Sequence, residues 1–215
     1  MALALFDLDN TLLNGDSDHS WGGYLAEIGA VNSLQHKQMQ DFFYNQYVSG
    51  QLDIYEFCKY QFKILKETPL KTLEQWRADF MTEVIEPIII NGKAELLEKH
   101  RENNDTLIII TATNDFITAP IAERLKVEHL IATKAEIRDG RFTGNVSGTP
   151  CFQAGKVTRL QEWISEHGGS LDNSTFYSDS YNDLPLLEAV TTAVAVTPDE
   201  RLRTHAQSLH WKIID

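Results

Sequence analysis

The sequence predicts an α/β protein: a Rossmann-like, doubly wound parallel sheet that carries an inserted, all-helical cap. Two observations support this fold class. Short apolar runs alternate with amphipathic helical stretches along most of the chain, as in parallel sheets covered by helices. Between about residues 18 and 84, however, helical patterns continue without a strand-like run.

Strands are predicted where short runs are rich in aliphatic and β-branched residues. These runs cover residues 2–6, 106–111, 130–133, 174–178, 193–196 and 211–214. Helices are predicted over residues 93–102, 117–125 and 156–167, the last ending at Gly168 and Gly169. Asp139-Gly140, between two strand-like stretches, predicts a hairpin within residues 135–146.

The uninterrupted helical segment predicts a separate cap. Its helices are expected over residues 21–28, 37–48, 55–66 and 73–84. Because the segment follows the first strand directly, it has to lie over the carboxyl edge of the sheet, where open α/β sheets bind ligands. We therefore expect a core domain of residues 1–14 and 86–215 and a cap domain of residues 15–85.

Composition limits the classes of partner. The chain has 215 residues, 42% of them hydrophobic, which is enough to bury a full core. A formal charge of -12 argues against nucleic acid and against anionic membranes as partners. Cys58 and Cys151 lack the spacing of a disulfide framework or a zinc site, and the sequence shows neither a signal peptide nor a membrane span. We therefore expect a cytoplasmic protein, with no prediction of its oligomeric state.

Two carboxylates follow the first predicted strand, at Asp7 and Asp9. Like charges this close need a cation or a shared proton. The pair suits one carboxylate that attacks and one that carries a proton, with a divalent metal ion neutralising both. The alternative is that Asp9, Asn10 and Thr11 form a turn that caps the next helix.

Three later features could complete this site. Thr111 ends an aliphatic strand, where its hydroxyl and nearby backbone N–H groups suit an anion, although threonine is also a common structural strand residue. Lys156 lies in the first turn of a predicted helix, where it opposes the helix dipole unless an anion is near, although most lysines are exposed. Asp179 and Asp183, four residues apart, need a cation or hydrogen-bond donors, or else they stabilise a helix amino terminus.

In this order, the four elements resemble the motifs of the haloacid dehalogenase superfamily of aspartate-nucleophile hydrolases. The branch most similar is the phosphoserine-phosphatase-like one, which has a helical cap. The matching stretches are Asp7-Leu8-Asp9-Asn10-Thr11, Thr111, Lys156 and Ser178-Asp179-Ser180-Tyr181-Asn182-Asp183, and the resemblance spans nearly the whole chain. It implies a phosphatase or phosphotransferase, because the dehalogenases of the superfamily lack an acid at the position of Asp9.

The resemblance implies that Asp7 and Asp9 are the catalytic residues. Asp7 would attack the phosphoryl group and form an aspartyl-phosphate. Asp9 would protonate the leaving alcohol and then deprotonate the attacking water. Mg²⁺ would be the cofactor, held by the carboxylates of Asp7 and Asp179 and the backbone carbonyl of Asp9.

The same resemblance implies how the phosphate is held. Thr111, Ala112 and Lys156 would bind the phosphate oxygens, where charge is spread in the transition state. Asn182 and Asp183 would lie behind these groups and orient metal-bound water or Lys156.

Substrate choice is expected to depend on the hinge into the cap, which carries Asp16, Asp18, His19 and Trp21. Members that hydrolyse phosphoserine have a glutamate near Asp16 for the ammonium group and a cap arginine for the carboxylate, whereas the cap here has only Arg77. An acidic, aromatic entrance suits a cationic or aromatic leaving group, which makes histidinol phosphate a candidate beside phosphoserine. Alternatively, Asp16 and Asp18 cap the first cap helix and Trp21 packs inside the cap.

The expected function is therefore Mg²⁺-dependent hydrolysis of a small phosphorylated metabolite. Two other functions fit the same motifs. A phosphotransferase or phosphomutase would pass the phosphoryl group of the same aspartyl-phosphate to a second alcohol. A catalytically silent phosphometabolite-binding protein would keep the fold, but such proteins usually lose one of the carboxylates.

Overall fold

The sheet predicted from the apolar runs is present. The structure is a computed structural model that describes residues 2–215. In these residues seven strands form one sheet in the order β4-β3-β2-β1-β5-β6-β7, with parallel neighbours throughout except for the antiparallel pair β3 and β4. The strands are β1 (Leu3–Phe6), β2 (Thr106–Asn114), β3 (His129–Arg138), β4 (Arg141–Ser147), β5 (Thr175–Ser178), β6 (Thr192–Val196) and β7 (Lys212–Ile214). The predicted α/β class with a Rossmann-like sheet is confirmed.

The helices lie between the strands, as the alternating pattern predicts. The cap region contains α1 (Ser17–Glu27), α2 (Ser33–Ser49), α3 (Ile54–Glu67) and α4 (Leu70–Phe80). A π-helical turn over Met81–Ile85 joins α4 to α5 (Glu86–Ile90). The remaining helices are α6 (Glu95–Glu102), α7 (Asp115–Arg124), α8 (Ala154–His167), α9 (Leu184–Leu187) and α10 (Glu200–Ser208).

Side-chain caps explain where the cap helices begin. Asp16, Asn32 and Asp53 each accept a backbone N–H at the amino terminus of α1, α2 and α3. The first helix therefore starts at Ser17, four residues before the predicted start at residue 21. The predicted division at residues 85 and 86 falls inside a run that is helical from residue 70 to residue 90, and the domain bounds stay a prediction.

The apolar residues of the sheet divide between its two faces because successive strand residues point in opposite directions. Ala4 and Phe6 pack in one buried cluster with Ile109, whereas Leu3 and Leu5 pack in a second cluster. The first cluster continues into apolar residues of α1, α3 and α4. The core thus holds α1, α3, α4 and the central strand in one packed unit.

The hairpin predicted at Asp139-Gly140 joins β3 to β4. Both residues have positive φ angles, 50° and 72°, as a two-residue hairpin turn requires. No helix of residues 2–215 has both the length and the apolar character needed to cross a membrane.

The start of α8 depends on a close backbone approach at Gly155. A Cβ atom there would lie 2.1 Å from the carbonyl oxygen of Pro150. The Gly155 N–H also donates to the oxygen of Phe152 at 2.8 Å, which tightens the loop just before Lys156. Only a residue without a side chain fits this loop.

We predict that Gly155→Ala lowers the free energy of unfolding by about 1–3 kcal/mol, because the added methyl group overpacks a backbone contact. The matched control is Gly23→Ala in α1, where a Cβ atom meets nothing within 4 Å. That variant should be neutral or up to about 1 kcal/mol more stable, as expected for an alanine inside a helix. Urea unfolding of the two variants and the wild type measures the difference, and equal stability of the two variants would contradict the prediction.

Candidate active site

The polar residues that end the central strands meet at the carboxyl edge of the sheet. Asp7 follows β1, and its backbone N–H donates to the Tyr177 oxygen at 2.9 Å, which continues the pairing of β1 with β5 by one residue. Thr111 lies on β2 and Asp179 follows β5, and these two strands flank β1. Parallel strands end at the same sheet edge, so the order β2-β1-β5 places Asp7 between Thr111 and Asp179.

Lys156 forms the centre of the site. Its ammonium Nζ donates to Asp7 Oδ1 at 2.8 Å and to Asp183 Oδ2 at 2.7 Å, and the residue is 2% exposed. Burial alone would lower the pKa of Lys156, but the adjacent carboxylates of Asp183 and Asp7 outweigh it and raise the pKa. Lys156 is therefore a buried lysine held by two carboxylates, and the alternative of a solvated lysine does not hold.

Ser178 and Asp183 support this lysine from behind. The Ser178 hydroxyl donates to Asp183 Oδ2 at 2.7 Å, the same oxygen that accepts from Lys156. Asn182 lies beside them, where its Oδ1 accepts from Gln153 Nε2 at 3.1 Å. The position of Asp183 is thus fixed by a hydroxyl and an ammonium group. Asp183 directly precedes α9, but its side chain makes no capping hydrogen bond to that helix.

The site carries more negative charge than Lys156 can balance. Burial raises the pKa of the Asp7 carboxyl to about 7, with Lys156 opposing and the charges of Asp183 and Asp9 adding to the shift. Burial, with the charges of Asp7 and Asp183, raises the pKa of Asp179 well above its ordinary value. Burial is the largest cause of both shifts, because it disfavours the charged form of a carboxyl group, and the neighbouring carboxylates add to it.

The donor set fits a small, hard cation. Carboxylate oxygens are the ligands that Mg²⁺ prefers, and it is usually bound by one or two of them together with waters and phosphate oxygens. Within residues 2–215 no three His, Cys, Asp or Glu side chains form a metal-binding group. Asp7 and Asp179 both line the cleft at this edge, and they are the two carboxylates that would hold such an ion.

Asp9 is held on both sides of its carboxyl group. Oδ1 accepts the backbone N–H of Ser17 at 2.6 Å, and Oδ2 accepts the Thr113 hydroxyl at 2.8 Å. Thr111 Oγ1 lies at 3.5 Å from the same Oδ2. Burial raises the pKa of Asp9 to about 6, the charge of Asp16 adds to this, and the bonds from Ser17 and Thr113 oppose it.

Thr113 is a site residue that the sequence analysis did not identify. It lies two positions after Thr111, with Ala112 between them lining the cleft. The two threonines so close together were the only signal in the sequence, because the irregular pairing of β2 with β3 after Thr111 is not visible there.

A cleft of about 520 Å³ opens above these groups, between the sheet edge and the cap helices. Its floor contains the predicted catalytic, phosphate-binding and metal-binding residues, and its walls come largely from α2 and α3. The aromatic wall residues are Phe43, Tyr44, Tyr47, Phe57, Phe152 and Tyr181. Sequence reasoning missed these walls, because the helical pattern did not show which cap face lies over the sheet.

The residues predicted at the entrance have different positions and roles in the structure. Asp16 both lines the cleft and caps α1, accepting the His19 backbone N–H at 2.8 Å. Asp18 and His19 also line the cleft, and Gln61 of α3 donates to Asp18 Oδ2. The capping alternative is thus correct for Asp16, while Asp18 faces the cleft with Gln61 as its partner.

Trp21 is a correction to the predicted entrance. It is 4% exposed and packs against the rings of Tyr24, Phe80 and Phe116. The indole belongs to the buried apolar cluster and does not line the cleft. The alternative of a tryptophan packed inside the cap is the observed arrangement.

Comparison with known proteins agrees with this architecture. The model of the haloacid dehalogenase-like hydrolase family matches residues 4–188. A histidinol-phosphatase of Neisseria meningitidis serogroup C (strain 8013) is 40% identical over 217 residues, covering 99% of this chain and 98% of that protein. A crystal structure of a protein of unknown function from Bordetella pertussis Tohama I is 41% identical with a TM-score of 0.93, covering 100% of this chain and 98% of that one.

A more distant structure shows the same fold. A phosphoserine phosphatase solved as a phospho-aspartyl intermediate analogue has a TM-score of 0.70 at 17% identity, covering 99% of this chain and 92% of that one. The chain belongs to the haloacid dehalogenase-like hydrolase family. The predicted resemblance is confirmed, and the chain is a phosphatase of this family.

The carboxyl of Asp18 should make stability depend on pH. Burial raises its pKa from 3.8 to about 8, with the charge of Asp16 adding and the bond from Gln61 opposing. Between these values the folded protein binds a proton that the unfolded chain releases, so the free energy of unfolding falls as pH rises. We predict that Asp18→Asn removes this loss: no gain near pH 4, and a gain growing to about 1–2 kcal/mol near pH 8 after allowance for partial exposure.

Urea unfolding at several pH values measures this gain. The matched control is Asp41→Asn, which makes the same charge change at an exposed position of α2 and should leave the pH dependence unchanged. A gain for Asp18→Asn that is equal at acidic and alkaline pH would show that the carboxyl does not titrate as described.

Proposed function

We propose that this chain is an Mg²⁺-dependent phosphomonoesterase that hydrolyses a small-metabolite phosphate through an aspartyl-phosphate on Asp7. The observation that carries the proposal is the geometry around Asp7 at the floor of the cleft. Lys156 holds Oδ1 of Asp7, and Asp9, with both oxygens hydrogen-bonded, lies two residues away at the same sheet edge. A fixed nucleophile and a fixed proton carrier in one cleft are what a double-displacement hydrolysis requires.

In the first half-reaction, Asp7 attacks phosphorus through Oδ2 because Oδ1 is bound to Lys156. The bond between phosphorus and the leaving oxygen breaks, and its electron pair goes to that oxygen, which takes a proton from Asp9. In the second half-reaction, Asp9 takes a proton from the water that attacks the aspartyl-phosphate, which releases inorganic phosphate and restores the Asp7 carboxylate.

The phosphate oxygens require donors that do not move during the reaction. An ammonium group has three N–H donors, and Lys156 uses two of them on Asp7 and Asp183, which leaves the third for a phosphate oxygen. The Thr111 hydroxyl and the backbone at Ala112 are the other proposed donors. Mg²⁺, held by Asp7, Asp179 and the carbonyl of Asp9, would supply the positive charge that offsets repulsion between the phosphate and the carboxylates.

For the leaving group, we propose a cationic or aromatic alcohol, with histidinol phosphate favoured over phosphoserine. Asp16, Asp18 and six aromatic rings line the cleft above the phosphate region. The guanidinium of Arg77, the arginine of the cap region, lies 4.4 Å from the Phe116 ring centre and donates to the Phe116 oxygen, so it is engaged outside the cleft lining. The relative named histidinol-phosphatase supports the same choice.

We predict that Asp7→Asn lowers kcat for p-nitrophenyl phosphate by at least about a thousandfold, because the amide is a poor nucleophile. Released nitrophenol is followed with Mg²⁺ present, and circular dichroism checks that the variant is folded. Chelation of Mg²⁺ by EDTA should abolish the wild-type activity, and added Mg²⁺ should restore it. Wild-type-like turnover by Asp7→Asn would overturn the proposed mechanism.

The same assay separates hydrolysis from phosphoryl transfer. With an added alcohol, a hydrolase releases one inorganic phosphate per nitrophenol. A phosphotransferase releases less, because part of the phosphoryl group leaves on the added alcohol.

We predict that a phosphate-release screen over histidinol phosphate, phosphoserine, phosphoethanolamine and sugar phosphates gives the highest kcat/KM for histidinol phosphate. A cationic leaving group in the cleft would favour the ionised form of Asp18, and an amide cannot supply that charge. Asp18→Asn should therefore lower that value by about 10–100-fold, and should change the value for p-nitrophenyl phosphate much less. Asp41→Asn serves again as the control for net charge. A clear preference for phosphoserine would refute the proposal that the cleft binds a cationic or aromatic leaving group.

A further inference from the structure

The carboxyl group of Asp9 is oriented by two donors from opposite sides of the cleft. Ser17 N, at the start of α1, reaches Oδ1 at 2.6 Å, and Thr113 Oγ1, at the end of β2, reaches Oδ2 at 2.8 Å. One short bond on each oxygen fixes the rotation of the carboxyl group about its own axis. A freely rotating carboxyl group would present its proton to the leaving oxygen only part of the time.

Thr113 owes its position to an irregularity at the end of β2. In the pairing with β3, Thr111 lies opposite Ala132, but Asn114 lies opposite Thr133, so β2 has two unpaired residues between them. The extra length carries Thr113 toward Asp9 while leaving it 8% exposed. In a regular strand, the two residues between Thr111 and Asn114 would also have pairing partners in β3.

The two threonines of this segment have different contacts. Thr111 Oγ1 accepts the Thr113 backbone N–H at 3.2 Å and stands 3.5 Å from Asp9 Oδ2, which is a long distance for a hydroxyl bond. Thr113 Oγ1 makes the short bond to the same oxygen. Thr111 is therefore available to a phosphate oxygen, whereas Thr113 is committed to Asp9.

We propose that Thr113 is a positioning residue for the first half-reaction. Its hydroxyl holds Asp9 in the orientation in which Asp9 protonates the leaving oxygen. This inference rests on the proposed function, in which Asp9 is the proton carrier. Thr113 itself exchanges no proton with the substrate. Its removal slows the breaking of the bond between phosphorus and the leaving oxygen in proportion to how much that oxygen needs a proton.

The experiment compares two aryl phosphates of nearly the same size. Phenyl phosphate releases a phenolate about as basic as a tyrosinate, so cleavage depends on the proton from Asp9. p-Nitrophenyl phosphate releases a far less basic oxygen that departs without one. The measured quantity is kcat/KM, which covers the steps through departure of the first product and is independent of the later hydrolysis of the aspartyl-phosphate.

For Thr113→Val, which keeps the side-chain shape and removes the hydroxyl, kcat/KM for phenyl phosphate should fall by about 10–100-fold. The value for p-nitrophenyl phosphate should fall by no more than about threefold. Thr113→Ser, which keeps the hydroxyl, should restore the phenyl phosphate value to within about threefold of wild type. The matched control is Thr118→Val, because Thr118 is fully buried on α7 and its hydroxyl donates only to the Asn114 oxygen.

The outcomes separate this inference from the proposed function. An equal fall with both esters, or no fall with phenyl phosphate, would overturn the positioning role, as would failure of Thr113→Ser to restore activity. A fall in Thr118→Val equal to that in Thr113→Val would also overturn it, because the effect would then come from packing. The proposed function fails separately, if wild type does not hydrolyse p-nitrophenyl phosphate or Asp7→Asn still does.

Discussion

The buried ammonium group of Lys156 is the interaction on which the site depends. Two carboxylates, Asp7 and Asp183, accept hydrogen bonds from it at 2.8 Å and 2.7 Å, and all three side chains are buried. Removing one member of such a group leaves an unpaired buried charge, so the three residues constrain each other. They come from β1, α8 and the turn after β5, and the ion pairs therefore fix how these elements meet.

The cap region and the sheet share polar contacts at the same edge. Ser17 at the start of α1 binds Asp9, and Tyr47 near the end of α2 forms a hydroxyl pair with Ser180 at 2.7 Å. The side-chain amide of Asn182 also donates to the backbone carbonyl oxygen of Tyr47 at 3.2 Å. Residues next to the proposed proton carrier and the proposed metal ligand Asp179 are thus held partly by the cap. The position of the cap and the geometry of the catalytic groups are set together.

Much of this arrangement follows from the sequence, because strand ends are easily recognised. Apolar runs predict the central strands, the parallel sheet places their carboxyl ends at one edge, and Asp7, Thr111 and Asp179 follow from that rule. Lys156 could be placed there only through the family motif, since its burial depends on Asp183 lying nearby in space.

The remaining residues depend on side-chain packing that periodicity does not describe. Trp21 was expected at the entrance because it is close in sequence to Asp18, but its indole packs against other aromatic rings in the core. Thr113 reaches Asp9 through an irregular strand end, which local propensity does not signal. The residues of the cleft walls could not be predicted, because the sequence does not show which faces of α2 and α3 lie over the sheet edge. Sequence patterns thus locate residues along an element more securely than around it.

The charge of the site explains why an acidic protein can bind a phosphate ester at all. The chain carries a formal charge of -12, and the groups around Asp7 add Asp9, Asp179 and Asp183 against the single ammonium group of Lys156. An incoming phosphate brings further negative charge into a buried region, where repulsion is weakly screened. One remaining N–H of Lys156 cannot offset this. A divalent cation between Asp7 and Asp179 would do so, and it would at the same time lower the raised pKa values of both carboxylates, which keeps Asp7 ionised for attack. In the proposed mechanism, the need for a metal ion and the need for an ionised Asp7 are therefore one electrostatic condition.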